Sequence, residues 1–463
     1  MVFSTLVFLF IFMPVVMILY NLSKKRTYKN VILVISSLIF YAWGEPMCIA
    51  CLLFSAFVDY TNGRIISSHF GKWQAKAALI ASLVINLGIL VAFKYSGFFV
   101  DNINFFFKAG INFKGLPLPM GISFYTFQTL SYTIDVYRGD VKVQKSFLKY
   151  LVYLSMFPQL VAGPIVRYID IEGQIDTRVV TAGKFRDGIL RFVVGLMKKV
   201  VFANGAGSVA SLILDGNLSS TSAAAAWLGM FMYSFQIYFD FSGYSDMAIG
   251  LGKMFGFDFL ENFNYPYISK SVTEFWRRWH ISLSTFFRDY VYIPLGGNRK
   301  HQMFNIFVVW FLTGFWHGAS WNFILWGLYY GVLLTIEKKC FGGALMRLAA
   351  PIGVLYNIII TLIGWSIFYF TDIHRLAEFF KAGLGFNGFF DYSALSIAAS
   401  NIWFIIVLVI ASTPLAKKTL GLFGENSRFT RRFLQPVGIV LIFALCFILL
   451  IGQTYNPFLY FRF

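Results

Sequence analysis

The sequence is poor in the residues that build metal and redox centres. It has four cysteines and five histidines among 463 residues, and no cluster with metal-ligand spacing is visible. Cys48 and Cys51 form a C-x-x-C pair in an apolar segment without a second ligand pair nearby, so core packing is favoured over zinc or redox chemistry. No metal is therefore predicted.

The chain also lacks internal repeats of the transporter kind, long soluble linkers and low-complexity tracts. The N-terminus has neither a basic region nor a small-residue cleavage site, so residues 2–20 are expected to be a retained first span rather than a signal peptide. Acidic residues are scarce: 21 Asp and Glu stand against 39 Lys and Arg, a net charge of +18. The basic residues lie in short loops between apolar blocks, the positive-inside pattern, so nucleic-acid binding is not expected.

Apolar residues are abundant. Of all residues, 58% are hydrophobic and 20% aromatic, above the roughly one half that is apolar in soluble domains. Several apolar blocks approach the roughly 20 residues that cross a bilayer core. These blocks are residues 2–20, 77–99, 356–370, 401–412 and 433–452. We predict an all-α polytopic membrane protein, a single membrane-embedded domain over residues 1–463, with about 10–12 transmembrane helices and further interfacial or re-entrant helices.

The basic loops predict the orientation of the spans. Lys24, Lys25 and Arg26 directly follow the first span, so the N-terminus is expected outside. Lysines and arginines between 417 and 432 mark a late cytoplasmic loop, so the last span exits and the C-terminal tail is also expected outside. The predicted location is the inner (cytoplasmic) membrane. Segment 185–204, with basic residues among apolar ones, is a candidate amphipathic helix in the membrane interface.

Polar residues interrupt the apolar pattern in three blocks. In the first, Gln236, Asp240 and Tyr244 recur at a spacing of four among aromatic residues, so on a helix they share one face. Polar groups at membrane depth need a polar lumen or satisfied partners. A tunnel wall and a buried helix-packing network both fit this pattern.

The second block, residues 274–298, carries too much charge for a conventional span. Trp276, His280, Leu283 and Phe287 fall on one helical face, which places His280 on the apolar side. The arginines of the block could bind the phosphates of an acyl donor or snorkel to lipid headgroups, and the sequence favours neither. The candidates for donor binding in this block are Trp276, Arg277, Arg278, Arg288 and Asn298.

The third block contains His317 and Trp316, the latter a further candidate for the tunnel wall or donor binding, in the run TGFWHGASWN at residues 313–322. An ionisable group at membrane depth is costly unless it faces a polar cavity, and histidine suits proton transfer near neutral pH. A general base here could take the proton of a hydroxyl that attacks a thioester, worth about 10²–10⁴-fold in rate. Gly314 and Gly318 would allow close approach of a neighbouring helix or an acyl chain. A structural histidine held by a backbone carbonyl is the alternative.

These blocks make the sequence recognisable. Over most of its length it resembles the membrane-bound O-acyltransferase family, and within it the bacterial branch that exports acyl groups to surface polymers. The resemblance rests on PQLVAGPI at 158–165, FDFSGYSD at 239–246, FWRRWH at 275–280, RDYVYIPLGGNR at 288–299 and WHG at 316–318. The PLGGNR stretch and the chain length look more like the alginate O-acetyltransferase subgroup than the D-alanine branch that serves teichoic acids.

The resemblance implies tilted helices around a central tunnel with two histidines near its centre. His317 matches the catalytic histidine of the family, and His280 matches the second histidine, toward the cytoplasmic mouth. The implied donor substrate is an acyl thioester on coenzyme A or an acyl carrier protein, with no permanently bound cofactor and no metal. The acyl group, with acetyl favoured, would pass to an extracytoplasmic SGNH-hydrolase-like partner that modifies a polysaccharide.

The C-terminal tail, NPFLYFRF at residues 456–463, resembles the aromatic C-terminal motif of the exporting branch. The tyrosine of that motif is proposed to carry the acyl group onward, which makes Tyr460 a third catalytic candidate. A phenol is a better leaving group than a sugar hydroxyl because its pKa is about 10, so a transient phenyl ester is chemically reasonable. An aromatic anchor at the membrane interface is the alternative explanation of the tail.

The leading hypothesis is thus a transmembrane O-acyltransferase that delivers an acyl group for O-acylation of a cell-surface polysaccharide. D-alanyl transfer to teichoic acids by the same fold is one alternative. A transporter or flippase of a lipid-linked species is another. It also needs a polar tunnel, but it does not explain a histidine between two glycines or an aromatic tail.

Overall fold

The computed structural model describes residues 1–44, 46, 48–160, 163–341, 349–422, 430–452 and 458–459; for 419–422 and 431–432 it describes the backbone. Within these ranges the regular structure is helical throughout, without a strand. The predicted all-α class is therefore confirmed.

The first part of the described chain contains helices α1 to α12. They are α1 Met13–Asn21, α2 Arg26–Ala42, α3 Cys48–Ser68, α4 Trp73–Lys94, α5 Ser96–Phe107, α6 Ile122–Arg138, α7 Phe147–Ser155, α8 Phe157–Leu160, α9 Tyr168–Thr177, α10 Ala182–Met197, α11 Asn204–Leu214 and α12 Ala223–Met254. π-helical turns at Phe8–Phe12 and Lys198–Ala203 precede α1 and join α10 to α11. The predicted interfacial segment 185–204 therefore falls on α10 and the π-helical turn that follows it.

The second part begins with two short helices and continues with longer apolar ones. They are α13 Val272–Arg278, α14 Ile281–Phe287, α15 Gln302–His317, α16 Trp321–Ile336, α17 Ala350–Tyr369, α18 Ile373–Gly383, α19 Tyr392–Ser400, α20 Ile402–Ala411, α21 Leu415–Leu422 and α22 Gln435–Ile451. Further π-helical turns are Arg288–Tyr292, Glu337–Phe341 and Thr430–Leu434.

Three of the described helices, α3, α4 and α17, are long and apolar enough to cross a membrane, judged by length and composition. Helices α19 and α20 would make a fourth if they form one span, and they are bent by 61° at the break between them. Phe8–Asn21 and α22 are apolar but shorter. The apolar blocks are thus confirmed as helical, and the number of about 10–12 crossings stays a prediction.

Contacts divide the chain into two compact units. Of the described residues, those within 1–192, 244–261 and 458–459 form unit 1, and those within 193–243 and 262–452 form unit 2. The units interleave along the sequence, so neither is one contiguous segment. The single domain over residues 1–463 stays a prediction.

Polar networks tie the apolar helices of unit 1 together. Asp59 on α3 accepts hydrogen bonds from Asn86 Nδ2 on α4 at 2.9 and 3.0 Å, and another from the Ser82 hydroxyl. Elsewhere in the unit, Arg178 donates to Asn30 Oδ1 at 2.6 Å. Such bonds satisfy polar groups that a hydrocarbon environment would leave without partners.

Unit 2 contains a close crossing of α15 and α16. A Cβ atom added to Gly314 would collide with the Phe323 carbonyl oxygen and lie 3.1 Å from Gly327 Cα. A Cβ atom added to Gly327 would likewise lie 3.1 Å from Gly314 Cα. The crossing depends on the missing side chains, which confirms that Gly314 permits close approach of a neighbouring helix. Because His317 ends α15, this crossing also sets the position of that histidine.

Candidate active site

A cavity of about 320 Å³ lies in unit 2, among α13, α14, α15 and the end of α16. Five residues that the sequence analysis selected line it, namely Trp276, Arg277, His280, Arg288 and Asn298. The rest of the wall is mostly apolar, with Leu283, Phe287 and Trp310 among its members. An apolar wall with a few convergent polar groups is typical of a small-molecule site.

The chain turns sharply at His280, between α13 and α14. Trp279 is extended, with φ −101° and ψ 129°, and His280 adopts a left-handed conformation with φ 46°. The spacing of residues 276–287 predicts a continuous helix. This prediction is wrong, because Trp279 and His280 leave helical geometry. Trp276, His280, Leu283 and Phe287 nevertheless all line the same cavity.

His280 is buried, and the tautomer of its neutral ring is set by Asn262. The Ser282 backbone N–H donates to Asn262 Oδ1 at 3.2 Å, which identifies that atom as the amide oxygen. His280 Nδ1 lies 3.1 Å from the same oxygen and therefore carries the proton in this hydrogen bond. In the neutral ring Nε2 then holds the lone pair. Burial lowers the pKa of His280, which also favours the neutral imidazole.

Aromatic rings connect the two predicted histidines. The ring centroid of Trp316 lies 6.1 Å from that of His280 and 4.9 Å from that of His317. His317 is 6% exposed, and its ring packs at 5.0 Å against Trp326. Thr313, one turn earlier on α15, lines the cavity. The fold thus brings both histidines into one aromatic cluster, with His280 on the cavity and His317 enclosed by rings beside it.

The polar groups of the cavity suit a ligand with negative charge and carbonyl oxygens. Arg277, Arg288 and Lys338 supply cationic groups to the lining. Trp276 Nε1 is buried and has no hydrogen-bond partner among the described residues. A buried indole N–H normally has an acceptor, and the carbonyl oxygen of a bound molecule could supply one here.

Arg278 and Asn298 are held by neighbouring residues. Arg278 Nε donates to Glu274 Oε1 at 2.9 Å, and its Nη1 donates to the Asn264 carbonyl at 3.1 Å. Asn298 Oδ1 accepts a hydrogen bond from the Tyr292 hydroxyl at 2.7 Å. Arg278 is not among the residues that line the cavity, so its part in donor binding stays a prediction.

The three predicted tunnel-wall residues lie on α12, which is one continuous helix, as their spacing predicts. Asp240 forms an ion pair with Lys199 at 2.5 Å, with both side chains buried. Gln236 packs against Gly207, where an added Cβ would meet its Nε2 at 2.5 Å. In unit 1, Tyr244 stacks on Phe3 at 4.6 Å. These contacts fit the helix-packing interpretation, and the tunnel wall stays a prediction.

The sequence analysis did not select Asn262, Glu337 or Lys338. Asn262 orients His280, Lys338 lines the cavity, and Glu337 binds the start of α13. One signal was present in the sequence, because Glu337 is an acidic residue that directly follows the apolar stretch of α16. Nothing in the pattern around Asn262 marks it as a partner of His280.

Tyr460 lies outside the described residues, as does most of the tail 456–463. Its assignment as a catalytic residue therefore stays a prediction. In the part of the chain that the structure describes, no three His, Cys, Asp or Glu side chains are grouped as ligands for a metal ion.

Comparison with known proteins extends these observations to the whole chain. The family model described as membrane-bound O-acyltransferase matches residues 141–377. The chain is 39% identical to a probable alginate O-acetylase of Pseudomonas putida, over 100% of both chains. It is 34% identical to a peptidoglycan O-acetyltransferase of Helicobacter pylori, over 84% of this chain and 80% of the other. It is 31% identical to a teichoic acid D-alanyltransferase of Bacillus subtilis, over 47% of this chain and 58% of the other. Because the family model spans half of the chain and the similarity to a relative runs end to end, the chain belongs to the membrane-bound O-acyltransferase family.

Proposed function

We propose that this O-acyltransferase moves an acetyl group from a cytoplasmic thioester across the inner membrane, for O-acetylation of a cell-surface polysaccharide. The similarity over the whole chain to an alginate O-acetylase carries this proposal. The similarity to a peptidoglycan O-acetyltransferase supports the same chemistry on a different polymer. The donor would be acetyl-coenzyme A or an acetylated carrier protein, with both termini of the chain outside.

The cavity supplies groups that suit a thioester donor. Arg277 and Arg288 would bind its phosphates, and the Trp276 indole N–H would bind one of its carbonyl oxygens. His280, in its neutral form with the proton on Nδ1, would position the donor or assist at the reacting carbonyl.

His317 would act as the general base. It takes the proton of the acceptor hydroxyl as the hydroxyl oxygen bonds to the thioester carbonyl carbon. The carbon–sulfur bond then breaks, and the thiolate leaves and takes up a proton. One new ester and one free thiol result, with no oxidant or reductant consumed.

Tyr460 would be the acceptor hydroxyl in a relay to the outer side of the membrane. The resulting phenyl ester would pass its acetyl group to an extracytoplasmic SGNH-hydrolase-like partner, which acetylates the polysaccharide. If Tyr460 is instead an interfacial anchor, the acetyl group reaches the partner without a covalent stop on the tail.

D-alanyl transfer is the second candidate. It is supported by the 31% identity to a teichoic acid D-alanyltransferase. That similarity covers 47% of this chain, whereas the similarity to the alginate O-acetylase covers 100%. Acetyl transfer is therefore favoured.

The test measures how much acetate, and in parallel how much D-alanine, base releases from surface polysaccharide. The strains compared carry the wild type or one variant at matched membrane levels. We expect acetate with the wild type and none with His317→Ala, because a general base contributes about 10²–10⁴-fold. The control is His374→Ala, which changes an exposed histidine on α18 and should acetylate normally.

Loss of acetate in Tyr460→Phe supports the relay, whereas retained acetate indicates that the tail is only an anchor. Full acetylation by His317→Ala would contradict the enzymatic mechanism and favour a transporter, while D-alanine in place of acetate would favour the second candidate.

A further inference from the structure

Glu337 is a buried carboxylate that binds the first residues of α13. Glu337 directly follows the last residue of α16 and is 3% exposed. The carboxylate accepts hydrogen bonds from the Val272 N–H at 2.7 Å, the Thr273 N–H at 2.9 Å and the Thr273 hydroxyl at 2.7 Å. The Tyr356 hydroxyl on α17 donates a fourth at 3.3 Å. One acidic side chain therefore joins three helices of unit 2.

Helix α13 depends on such an external partner because it is short. It has seven residues, and isolated helices of this length are not stable in water. The first N–H groups of a helix have no partner within it. Ser271 accepts the Glu274 N–H at 3.1 Å, and Glu337 accepts the two amides before it. Together the two side chains cap the first turn, and a carboxylate is also favoured there by the helix dipole.

The same helix carries part of the cavity wall. Thr273, Trp276 and Arg277 on α13 line the cavity, and so does Lys338, which directly follows Glu337. Glu337 is not among the residues that line the cavity. Its effect on a bound molecule would therefore be exerted through the position of α13 and of Lys338.

We propose that Glu337 is a positioning residue for the donor: by holding the start of α13 it fixes Trp276, Arg277 and Lys338 around the thioester-bearing molecule. This inference rests on the proposed function, since it takes the cavity as the donor site. Loss of the carboxylate leaves the two α13 amides without their partner and lets the cavity wall shift. Donor affinity falls, whereas the reaction at His317 proceeds once the donor is bound.

The test uses full-length protein in lipid nanodiscs, together with the extracytoplasmic partner and alginate as the final acceptor of the acetyl group. Thiol release from acetyl-coenzyme A is measured over a range of donor concentrations. Glu337→Gln keeps the shape of the side chain but replaces one acceptor oxygen with an NH₂ group. We expect it to raise KM for acetyl-coenzyme A about tenfold while kcat changes less than about threefold. Glu337→Ala should raise KM further. The matched control is Glu378→Gln, which changes an exposed glutamate on α18 and should leave both constants at their wild-type values.

Hydrogen exchange provides a readout that does not depend on the substrate. The amides of Val272 and Thr273 should exchange faster in Glu337→Gln than in the wild type, and those of α18 should not. Unchanged KM and unchanged exchange in Glu337→Gln would overturn the inference, as would a fall in kcat at unchanged KM. If the wild type releases no thiol from acetyl-coenzyme A and none from an acetylated carrier protein, the proposed function fails, and the exchange rates still decide whether Glu337 holds α13.

A milder variant covers the case in which Glu337→Gln does not accumulate. Tyr356→Phe removes the longest of the hydrogen bonds to Glu337. A KM about twofold higher at unchanged kcat supports the inference, and an unchanged KM counts against it.

Discussion

At the residue scale, hydrogen bonds around His280 select one tautomer of its neutral ring. Asn262 Oδ1 accepts from the Ser282 hydroxyl at 2.9 Å, from the Ser282 backbone N–H at 3.2 Å and from His280 Nδ1 at 3.1 Å. Donors on several sides hold the amide in one orientation, and the amide in turn holds the imidazole. Rigid support of this kind keeps a functional group close to its productive geometry.

Asn262→Asp is expected to change the pH dependence of the reaction. A carboxylate at this position would stabilise the imidazolium and raise the pKa of His280, by about 1–3 pH units for a charge in direct contact. If turnover needs neutral His280, activity is lost as pH falls through that pKa, so the acid limb of kcat/KM moves to higher pH. The measurement is the pH profile of thiol release from acetyl-coenzyme A. Ser282→Ala adds no charge and should leave the limb in place, and an unmoved limb in Asn262→Asp would show that the ionisation of His280 does not control the rate.

At the element scale, two features of unit 2 place the site. The crossing of α15 and α16 at Gly314 and Gly327 fixes the end of α15, where His317 lies. The left-handed conformation of His280 ends α13 and starts α14, so that both short helices line the cavity. The first feature requires the absence of a side chain, and the second requires an uncommon backbone conformation at a histidine.

Gly314→Ala should therefore damage the site from a distance. The added methyl group meets the Phe323 carbonyl oxygen and Gly327 Cα, and overpacking of this kind costs about 1–3 kcal/mol. We expect a lower thermal midpoint for the protein in nanodiscs and reduced surface acetylation, because α15 cannot keep His317 in place. Gly438→Ala on α22, where a Cβ meets nothing within 4 Å, is the control. Wild-type stability and acetylation in Gly314→Ala would mean that the helices have room to separate.

At the scale of the whole molecule, charge determines orientation. The net charge is +18. Lys24, Lys25, Arg26 and Lys29 lie just before and within the first turn of α2, and Arg64, Lys72 and Lys76 lie near the end of α3, in the loop that follows it and at the start of α4. Short basic loops stay on the cytoplasmic side. This pattern predicts that the chain starts outside and returns to the cytoplasm after α3.

Reporter fusions test that orientation. Green fluorescent protein fused after Lys72 should fluoresce and alkaline phosphatase fused there should be inactive, because the loop between α3 and α4 is predicted to be cytoplasmic. The opposite pair of results is expected after Gly44, between α2 and α3. Active phosphatase after Lys72 would invert the predicted topology and place both termini in the cytoplasm.

Much of the candidate site could be predicted because its residues carry strong local signals. Histidines and arginines inside apolar surroundings are conspicuous, and their motifs indicate the family. Spacing placed Trp276, His280, Leu283 and Phe287 together, and the cavity confirms that grouping. Helix boundaries were harder to predict from the sequence. The block 77–99 is apolar along its whole length, yet it divides at Tyr95 into α4 and α5.

The sequence by itself determined the class of the molecule, its family and the choice of His280 and His317 as candidates, since hydrophobicity, charge and motif residues are properties of the chain alone. The tertiary structure decided which groups meet. It paired Asp240 with Lys199 and placed Asn262 where it fixes the tautomer of His280. It also brought Glu337 to the start of α13, 64 or more positions away in the sequence. Such partners are distant in sequence, and each is set by how helices pack, which no local pattern encodes.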